Sequence, residues 1–486
     1  MESIIIALND IVWSNALIIL CLSAGVYFSA TTRFLQVRHL REMIRLLFDG
    51  RSSAKGVSSF QAFTMAIAGR VGTGNIAGVA TAIAMGGPGA IFWMWLIAFL
   101  GAASAFVEAT LGQIYKQVDN GQYRGGPSYY IEKGLGVKWY AMLFAGATVL
   151  STAFFLPGVQ SNSIATSINS AFNIPVEITG ATVTVLLALV IFGGVKRIGK
   201  VAGIVVPFMA AAYVLMATII MVLNFKEIPE VFGLIVRSAF GFEPAFSGIL
   251  GMAIAWGVKR GIYSNEAGQG TAPHAAAAAE VSHPAKQGLV QGFSVYVDTL
   301  FVCSATGFMI LFTGQYNVAN QIGGFIVENL PGVAIGPEYT QQAISTHFPT
   351  IGGGFVAIAL LFFAFTTIMA YYYIAETNLS YLNRRGVQQW KLWVLRTLIL
   401  FATFYGSIKT AEMAWTLGDI GVGIMAWLNV IAILLLRKPA LLALKDYQDQ
   451  RKAGKEPVFD PKSLGIKNAD FWEAKAKTHH EERTDP

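Results

Sequence analysis

The sequence predicts an all-α polytopic membrane protein of about 11 transmembrane helices, arranged as a five-plus-five inverted repeat with discontinuous second and seventh helices. Three observations carry this expectation. The 486 residues have a mean hydropathy of +0.54, with 54% hydrophobic and only 13% charged residues. Apolar runs of roughly 20 residues recur, the length that crosses about 30 Å of hydrocarbon at about 1.5 Å per residue. Two of these runs are interrupted near their centres by glycine and polar residues, which hydrocarbon tolerates only beside a cavity or a ligand. Long unbroken apolar runs, in place of short alternating ones, exclude a transmembrane barrel.

The expected spans lie near 11–30, 58–85, 90–115, 139–168, 176–194, 201–223, 245–270, 288–313, 353–382, 390–408 and 413–436. The opening Met1-Glu-Ser-Ile-Ile lacks a positive n-region and a small-residue cleavage site, so the first span is expected to be retained. Residues 1–57 then read as an extra helix and a basic loop, 58–223 and 224–436 as two five-helix repeats, and 437–486 as a polar tail. An odd number of helices per repeat inverts the second copy. Cys21 and Cys303 both fall inside spans and read as packing residues.

Most of the 35 Lys and Arg fall on one face. Arg33, Arg38, Arg41, Arg45 and Arg51 follow the first span; Lys116, Arg124, Lys133 and Lys138 follow the third; Lys259, Arg260 and Lys286, Arg384 and Arg385, and the Lys-rich tail join them. The opposite face holds only Lys226, Arg237 and Lys409. The positive-inside rule makes the basic face cytoplasmic, with the N-terminus outside and the C-terminus inside a plasma membrane. The net charge of +7 therefore describes a membrane surface and no nucleic-acid partner. The loop 314–352 has no Lys or Arg and reads as an outer lid or a passive connector; the tail from Pro439 reads as a short amphipathic stretch followed by disorder.

Residues 68–75, Ala-Gly-Arg-Val-Gly-Thr-Gly-Asn, break the second span. Gly69, Gly72 and Gly74 weaken helical propagation, and the amides of Thr73, Gly74 and Asn75 open a new half-helix whose positive end suits a carboxylate. Carbonyls released at Ala68 and Val71 suit a hard cation such as Na⁺. Thr366 and Thr367 lie near the centre of the ninth span and can complete that cation's shell. The seventh span is expected to break around Gly257 to Gly261, where Trp256 would wall a pocket; Gln160, after Pro157-Gly158, offers an amide to a ligand.

Arg70 and Asp298 fall at mid-depth, where a lone charge is costly. They read either as a structural charge pair with one another or as coupling groups, with Asp298, Thr299 and Asn75 ordering a second cation. Glu108 and Glu376 read as gates or helix-pairing groups nearer the inner side. His274-Ala-Ala-Ala-Ala-Ala-Glu280 reads as an alanine-rich helix, and no zinc motif, P-loop or nucleophile elbow is present.

Val71-Gly-Thr-Gly-Asn-Ile-Ala-Gly-Val-Ala-Thr-Ala-Ile-Ala-Met-Gly-Gly-Pro-Gly-Ala-Ile-Phe-Trp-Met-Trp95 resembles the alanine or glycine:cation symporter family. So do Tyr123-Arg-Gly-Gly-Pro-Ser-Tyr-Tyr-Ile131, Lys259-Arg-Gly-Ile-Tyr-Ser-Asn-Glu-Ala-Gly-Gln-Gly-Thr-Ala-Pro273 and Tyr371-Tyr-Tyr-Ile-Ala-Glu-Thr-Asn378. The resemblance covers nearly all of residues 1–436. It implies the LeuT-like five-plus-five architecture, a Na⁺ site from Ala68, Val71, Thr366 and Thr367, and an amino acid site around Thr73, Gly74, Gln160 and Trp256. Asn75 is similar to a further sodium ligand of related transporters, but Arg70 stands where those have a small residue, so one Na⁺ is the expected stoichiometry. The implied substrate is alanine or glycine, and the implied coupling ion is Na⁺, with no organic cofactor.

Alternatives stay open at this point. They are a glutamine-preferring symporter, proton coupling through Asp298 or Glu108, a non-transporting sensor, and an intramembrane enzyme, which lacks a pair of His or Cys ligands.

Overall fold

The computed structural model describes residues 2–475 apart from 51, 54, 120, 321 and 384–387. Arg51, Arg384, Arg385 and the last basic residues of the tail lie outside the described residues. The architecture is helical, with two short two-stranded hairpins, Gln117–Asp119 with Gln122–Arg124 and Asn317–Ala319 with Phe325–Glu328. Among the described residues, seven helical stretches are long and apolar enough to cross a membrane, and Gly74–Gly86 and Val176–Ile191 are shorter apolar helices.

The first span is Asn15–Thr31, preceded by a helix over Glu2–Val12. The second starts at Ser59, where Ser58 and Gln61 form a reciprocal capping box, and stops at Arg70. It resumes as one widened turn, Gly74–Gly78, followed by Val79–Gly86. The third is Ala90–Ile114, and the fourth runs from Lys138 through a widened turn at Ser151–Phe155 to Phe172. Val176–Ile191, Gly194–Leu223 and Leu250–Asn265 form the fifth to seventh. Pro284–Tyr296, a wide turn at Val297–Cys303 and Ser304–Thr313 make the eighth. Gly352–Leu382, Gln389–Ser407 and Ala411–Leu435 fall at the positions expected for the ninth to eleventh; the ordinals follow the sequence expectation.

Burial sorts these helices. The first and sixth spans show Ile19, Val26, Ile204, Phe208 and Leu215 on the exterior, an apolar belt suited to lipid. Third-span residues from Gly101 to Ile114 are all buried, and the eighth is nearly so. Close approach of these helices explains glycines that the sequence alone assigns to a break. A Cβ at Gly257 would sit 2.5 Å from Trp93 Cβ and 2.6 Å from the Ala90 carbonyl, and one at Gly261 would strike Ile97. Both glycines are packing notches in an unbroken helix.

The seventh span therefore breaks later than Gly257 to Gly261. Its helix ends at Asn265; Glu266, Gly268 and Gly270 take φ of 54°, 81° and 88°, and a short helix follows over Ala272–Ala278. Two left-handed glycines supply the turn at no steric cost, and Glu266 shares that conformation. The expected alanine-rich helix is the segment after this break.

Lys259 and Arg260 also differ from expectation. They lie inside the bundle, where Arg260 donates both terminal nitrogens to Asp419 at 2.8 and 3.0 Å and Lys259 reaches the same carboxylate at 2.8 Å. A carboxylate on the eleventh span holds them there, which local charge counting cannot register.

The tail is ordered further than its composition suggests. Arg437–Lys452 is helical, and the segment beyond it buries Phe459, Ile466 and Trp472 against the basic face. Trp472 donates to the Gln113 carbonyl, and Lys475 pairs with Glu280 at 2.8 Å. Lys116 is buried beneath Tyr123, Phe471 and Trp472 and donates to the Ala279 carbonyl. The loop 314–352 carries one hairpin and a helix over Pro337–Ser345, whose Gln341 holds Ser167 at the end of the fourth span.

His283 ties the tail to the eighth span. Its Nδ1 accepts from the Ala285 amide, its Nε2 donates to Asp446 at 3.0 Å, and its ring packs on Tyr447 and Phe459. Burial holds this imidazole below its ordinary range, ahead of the opposing pull of Asp446. The released chain then binds the proton more tightly than the docked one, so docking is fully favourable above about pH 6.5 and weakens as pH falls below it. Hydrogen exchange at the Phe459 amide, which is bonded to the Ser282 carbonyl, should accelerate at pH 5.5 relative to the intrinsic rate, and a His283→Asn variant should lose that dependence.

Candidate functional site

The break in the second span is a gap of two residues. Val71 leaves the helix at φ −78°, ψ 93°, and Thr73 is helical again at φ −56°, ψ −32°. The Gly72 amide, which would otherwise close on Ala68, bonds Asn75 Oδ1 at 2.8 Å instead, and the Thr73 amide bonds Gln160 Oε1 at 3.0 Å. Two side chains thus stand in for a ligand on these donors, and the Ala68 carbonyl is left without its helical partner.

Thr367 meets the same gap. Its hydroxyl lies 3.4 Å from the Val71 carbonyl while also reaching Phe363, and a Cβ on Gly72 would be only 2.5 Å from it. Thr366 is buried beside it with its hydroxyl bonded to Phe362 and Phe363 of its own helix. Val71 and Thr367 are therefore brought together, with Ala68 one turn away and Thr366 adjacent.

A second set of oxygens lies one turn further along the second span. Asp298 Oδ1 accepts from Asn75 at 2.6 Å; its carboxylate also accepts from Ser264 at 2.9 and 3.1 Å and from Thr299 at 2.8 Å. Thr306 donates to the Asn75 carbonyl at 2.7 Å. The widened turn over Val297–Cys303 swings Asp298 and Thr299 towards the second span. No Lys, Arg or His nitrogen among the described residues comes within 4.0 Å of Asp298.

The charge pair between Arg70 and Asp298 is accordingly not formed. Arg70 is 2% exposed and donates through Nη1 to the Gln291 carbonyl and Ser294 Oγ, while its Nε and Nη2 have no partner among the described residues. Three hydroxyl and amide donors satisfy Asp298, and Arg70 turns towards the eighth span. Glu376 pairs with Arg124 of the first hairpin at 2.7 Å, tying the ninth span to that hairpin, and Glu108 accepts from the Gly270 amide and Asn429, tying the third span to the seventh-span break and the eleventh span.

The aromatic neighbour of the break is Tyr263. A Cβ on Gly74 would meet Tyr263 and Ser264 at 3.1 and 3.2 Å, whereas Gly78 faces Arg260 and Trp415. Trp256, two helical turns before Tyr263 and so about 10 Å away along the axis, packs over Lys259 and Arg260 at 5.1 Å. It belongs to the Asp419 cluster, and the ring packed against the break is that of Tyr263. Tyr263 OH and Thr73 Oγ1 are buried without partners among the described residues, and Tyr371 lies beside Gln160. Tyr263, Ser264 and Thr306 escape the sequence reading because hydroxyl residues are common in membrane helices; only the depth of Tyr263-Ser264 near the second break could have singled them out.

A helical membrane bundle whose second and seventh spans both lose their helix, with unpaired main chain and buried hydroxyls converging there, is a secondary transporter. The chain belongs to the sodium:alanine symporter family, whose model matches residues 1–461. YrbD of Bacillus subtilis is 65% identical over 99% of this chain and 100% of its own length. The sodium/proton-dependent alanine carrier protein of Bacillus sp. (strain PS3) is 56% identical over 91% of this chain and 99% of its own. The sodium/alanine symporter AgcS of Methanococcus maripaludis is 37% identical over 93% and 98%. The fold is shared with MhsT in complex with L-phenylalanine (TM-score 0.55, 15% identity, 81% of this chain and 98% of that one). It is also shared with a manganese transporter of Eremococcus coleocola (TM-score 0.53, 12% identity, 85% and 92%). The protein is a multi-pass membrane transporter and not an enzyme.

Proposed function

We propose that the chain imports alanine, and glycine with it, by symport with one Na⁺, from an outer face bearing the N-terminus to a cytoplasmic face bearing the basic loops. The observation that carries this reading is the gap at Val71–Thr73, faced by Thr367 on one side and Gln160 on the other, in a member of the sodium:alanine symporter family. Carbonyls of Ala68 and Val71 with the hydroxyls of Thr366 and Thr367 form an all-oxygen shell suited to a hard cation. The substrate carboxylate takes the amides of Thr73 and Gly74 as Gln160 moves off Thr73, and Tyr263 closes the side where only a small side chain fits.

Na⁺ draws the second and ninth spans together and fixes the amides for the carboxylate, so each ligand strengthens the other's binding. A tenfold Na⁺ gradient supplies about 1.4 kcal/mol and about 100 mV of membrane potential about 2.3 more per charge. Together they support about 500-fold accumulation of a zwitterion. The two five-helix repeats of 58–223 and 224–436 would rock about this site.

A second reading is favoured by the set of donors around Asp298. Asn75, Thr299 and Asp298 would then hold a second cation or a proton, in keeping with the sodium/proton-dependent description of the strain PS3 relative. Purified protein in liposomes, given alanine, glycine and glutamine under separate Na⁺ and H⁺ gradients, tests both. Electrogenic, Na⁺-driven alanine uptake supports the proposal, uptake driven by a pH gradient without Na⁺ supports the second reading, and binding without flux contradicts both.

A further inference from the structure

The break in the seventh span places a carboxylate where neither reading uses it. Glu266 is 2% exposed, and the only hydrogen bond to its carboxylate among the described residues is from Thr271, at 2.7 Å to Oε2. No Lys, Arg or His nitrogen lies within 4.0 Å of it among the described residues. It abuts the second span so closely that a Cβ on Gly69 would be 3.4 Å from Oε2. A narrow cleft beside it is lined by Ala68 and Gly69 of the second span, Ile198 of the sixth, and Ala272 and Ala275 of the short helix after the break. Ala68 is the residue whose carbonyl the helix break releases.

The charged and titratable groups facing Glu266 are few. Arg70 is the nearest cation, but its guanidinium is turned to Gln291 and Ser294 on the eighth span. Asp298 from the eighth span adds negative charge, and the phenols of Tyr263 and Tyr371 add neutral groups. His274, one turn beyond Thr271, is bonded to the Thr271 carbonyl and to Asn378. A carboxylate with one oxygen free of hydrogen bonds, in a mostly apolar cleft beside the Asp298 carboxylate and one averted guanidinium, is stabilised by a positive charge brought to it.

We propose that Glu266 is a transit site for the coupling cation, taking Na⁺ from the second-span break and passing it along the cleft to the basic face. Its two carboxylate oxygens and the Thr271 hydroxyl supply hard oxygen ligands, and the left-handed turn holds them against the path. A second oxygen set beside the Ala68–Thr367 shell gives the departing ion a place to go. This inference rests on the Na⁺-symport reading and adds the route by which the ion leaves.

The test separates cation release from substrate binding. Proteoliposomes with the full chain are assayed for exchange of labelled alanine with equal Na⁺ on both sides, where the carrier returns loaded, and for net uptake into a Na⁺-free lumen, where Na⁺ must leave. Glu266→Gln should lower net uptake at least tenfold and keep exchange within twofold of wild type, and Glu266→Asp should recover net uptake to within threefold. Equal net uptake in wild type and Glu266→Gln, or parallel loss of both fluxes, overturns the proposal, as does a Glu266→Gln defect confined to uptake driven by a pH gradient. If Glu266→Gln fails to fold, Thr271→Val replaces it: net uptake should fall at least threefold with exchange intact, and equal effects on both overturn the idea. Failure of the wild type to respond to Na⁺ at all would instead contradict the symport reading.

Discussion

Gly72→Ala is expected to abolish transport while leaving the protein folded. A Cβ at this position would stand 2.5 Å from Thr367 Oγ1 and 2.8 Å from Gln160 Oε1, inside the contact distance of either atom. The fourth and ninth spans would have to withdraw from the break, and both supply the groups that face it. Overpacking of this kind costs about 1–3 kcal/mol of stability, which a protein of this size absorbs. A displacement of about 1 Å at a site of fixed geometry costs about 100-fold in activity, so function is lost before fold. Uptake of labelled alanine in proteoliposomes, normalised to monodisperse protein, should fall at least about 100-fold; wild-type uptake would show that the gap has slack that the packing denies.

Asp419→Asn should give the largest loss of stability. Asp419 is the shared partner of Lys259 and Arg260, and all three are buried where the seventh and eleventh spans meet under Trp256 and Trp415. Removing its charge leaves two cations facing one another without compensation, and breaking a buried pair in this way costs about 3–5 kcal/mol. That is a large share of the about 5–15 kcal/mol that holds a typical domain together. Thermal unfolding in detergent should shift down markedly, and adding Lys259→Met should recover part of the loss because only one cation then remains unpaired. An unchanged midpoint would mean that water reaches the cluster.

The two breaks differed in how plainly the sequence announced them. Gly69, Gly72, Gly74 and Asn75 stand together in an apolar run, and a cluster of helix-weakening and polar residues at mid-depth has few other uses. In the seventh span the same residue type misled: Gly257 and Gly261 admit Trp93, Ala90 and Ile97 of the third span, and the chain turns at Glu266, Gly268 and Gly270 instead. Whether a membrane glycine breaks a helix or lets another approach depends on a neighbour that may be distant in sequence, and local pattern does not encode that neighbour.

Charges were legible in depth but not in partnership. Arg70 and Asp298 are both buried, yet each finds hydroxyls and amides rather than the other. Arg260 and Asp419 meet across 159 positions of sequence, a pairing fixed only when the two spans pack. Thr367 was legible because two adjacent hydroxyls share the depth of the first break. Ser264 and Tyr263 were not, because their place beside Gly74 depends on a helix that was expected to break before them and instead runs on to Asn265.

The central claim is that the Val71–Thr73 gap and Thr367 together hold the ion that drives alanine accumulation. The most direct measurement is the Na⁺ activation curve of alanine uptake by wild type and Thr367→Val in proteoliposomes. Losing one of four oxygens should raise the half-saturating Na⁺ at least about tenfold, equivalent to about 1.4 kcal/mol, while uptake at saturating Na⁺ is largely kept. An unchanged Na⁺ curve in the valine variant would place the coupling ion elsewhere and contradict the account.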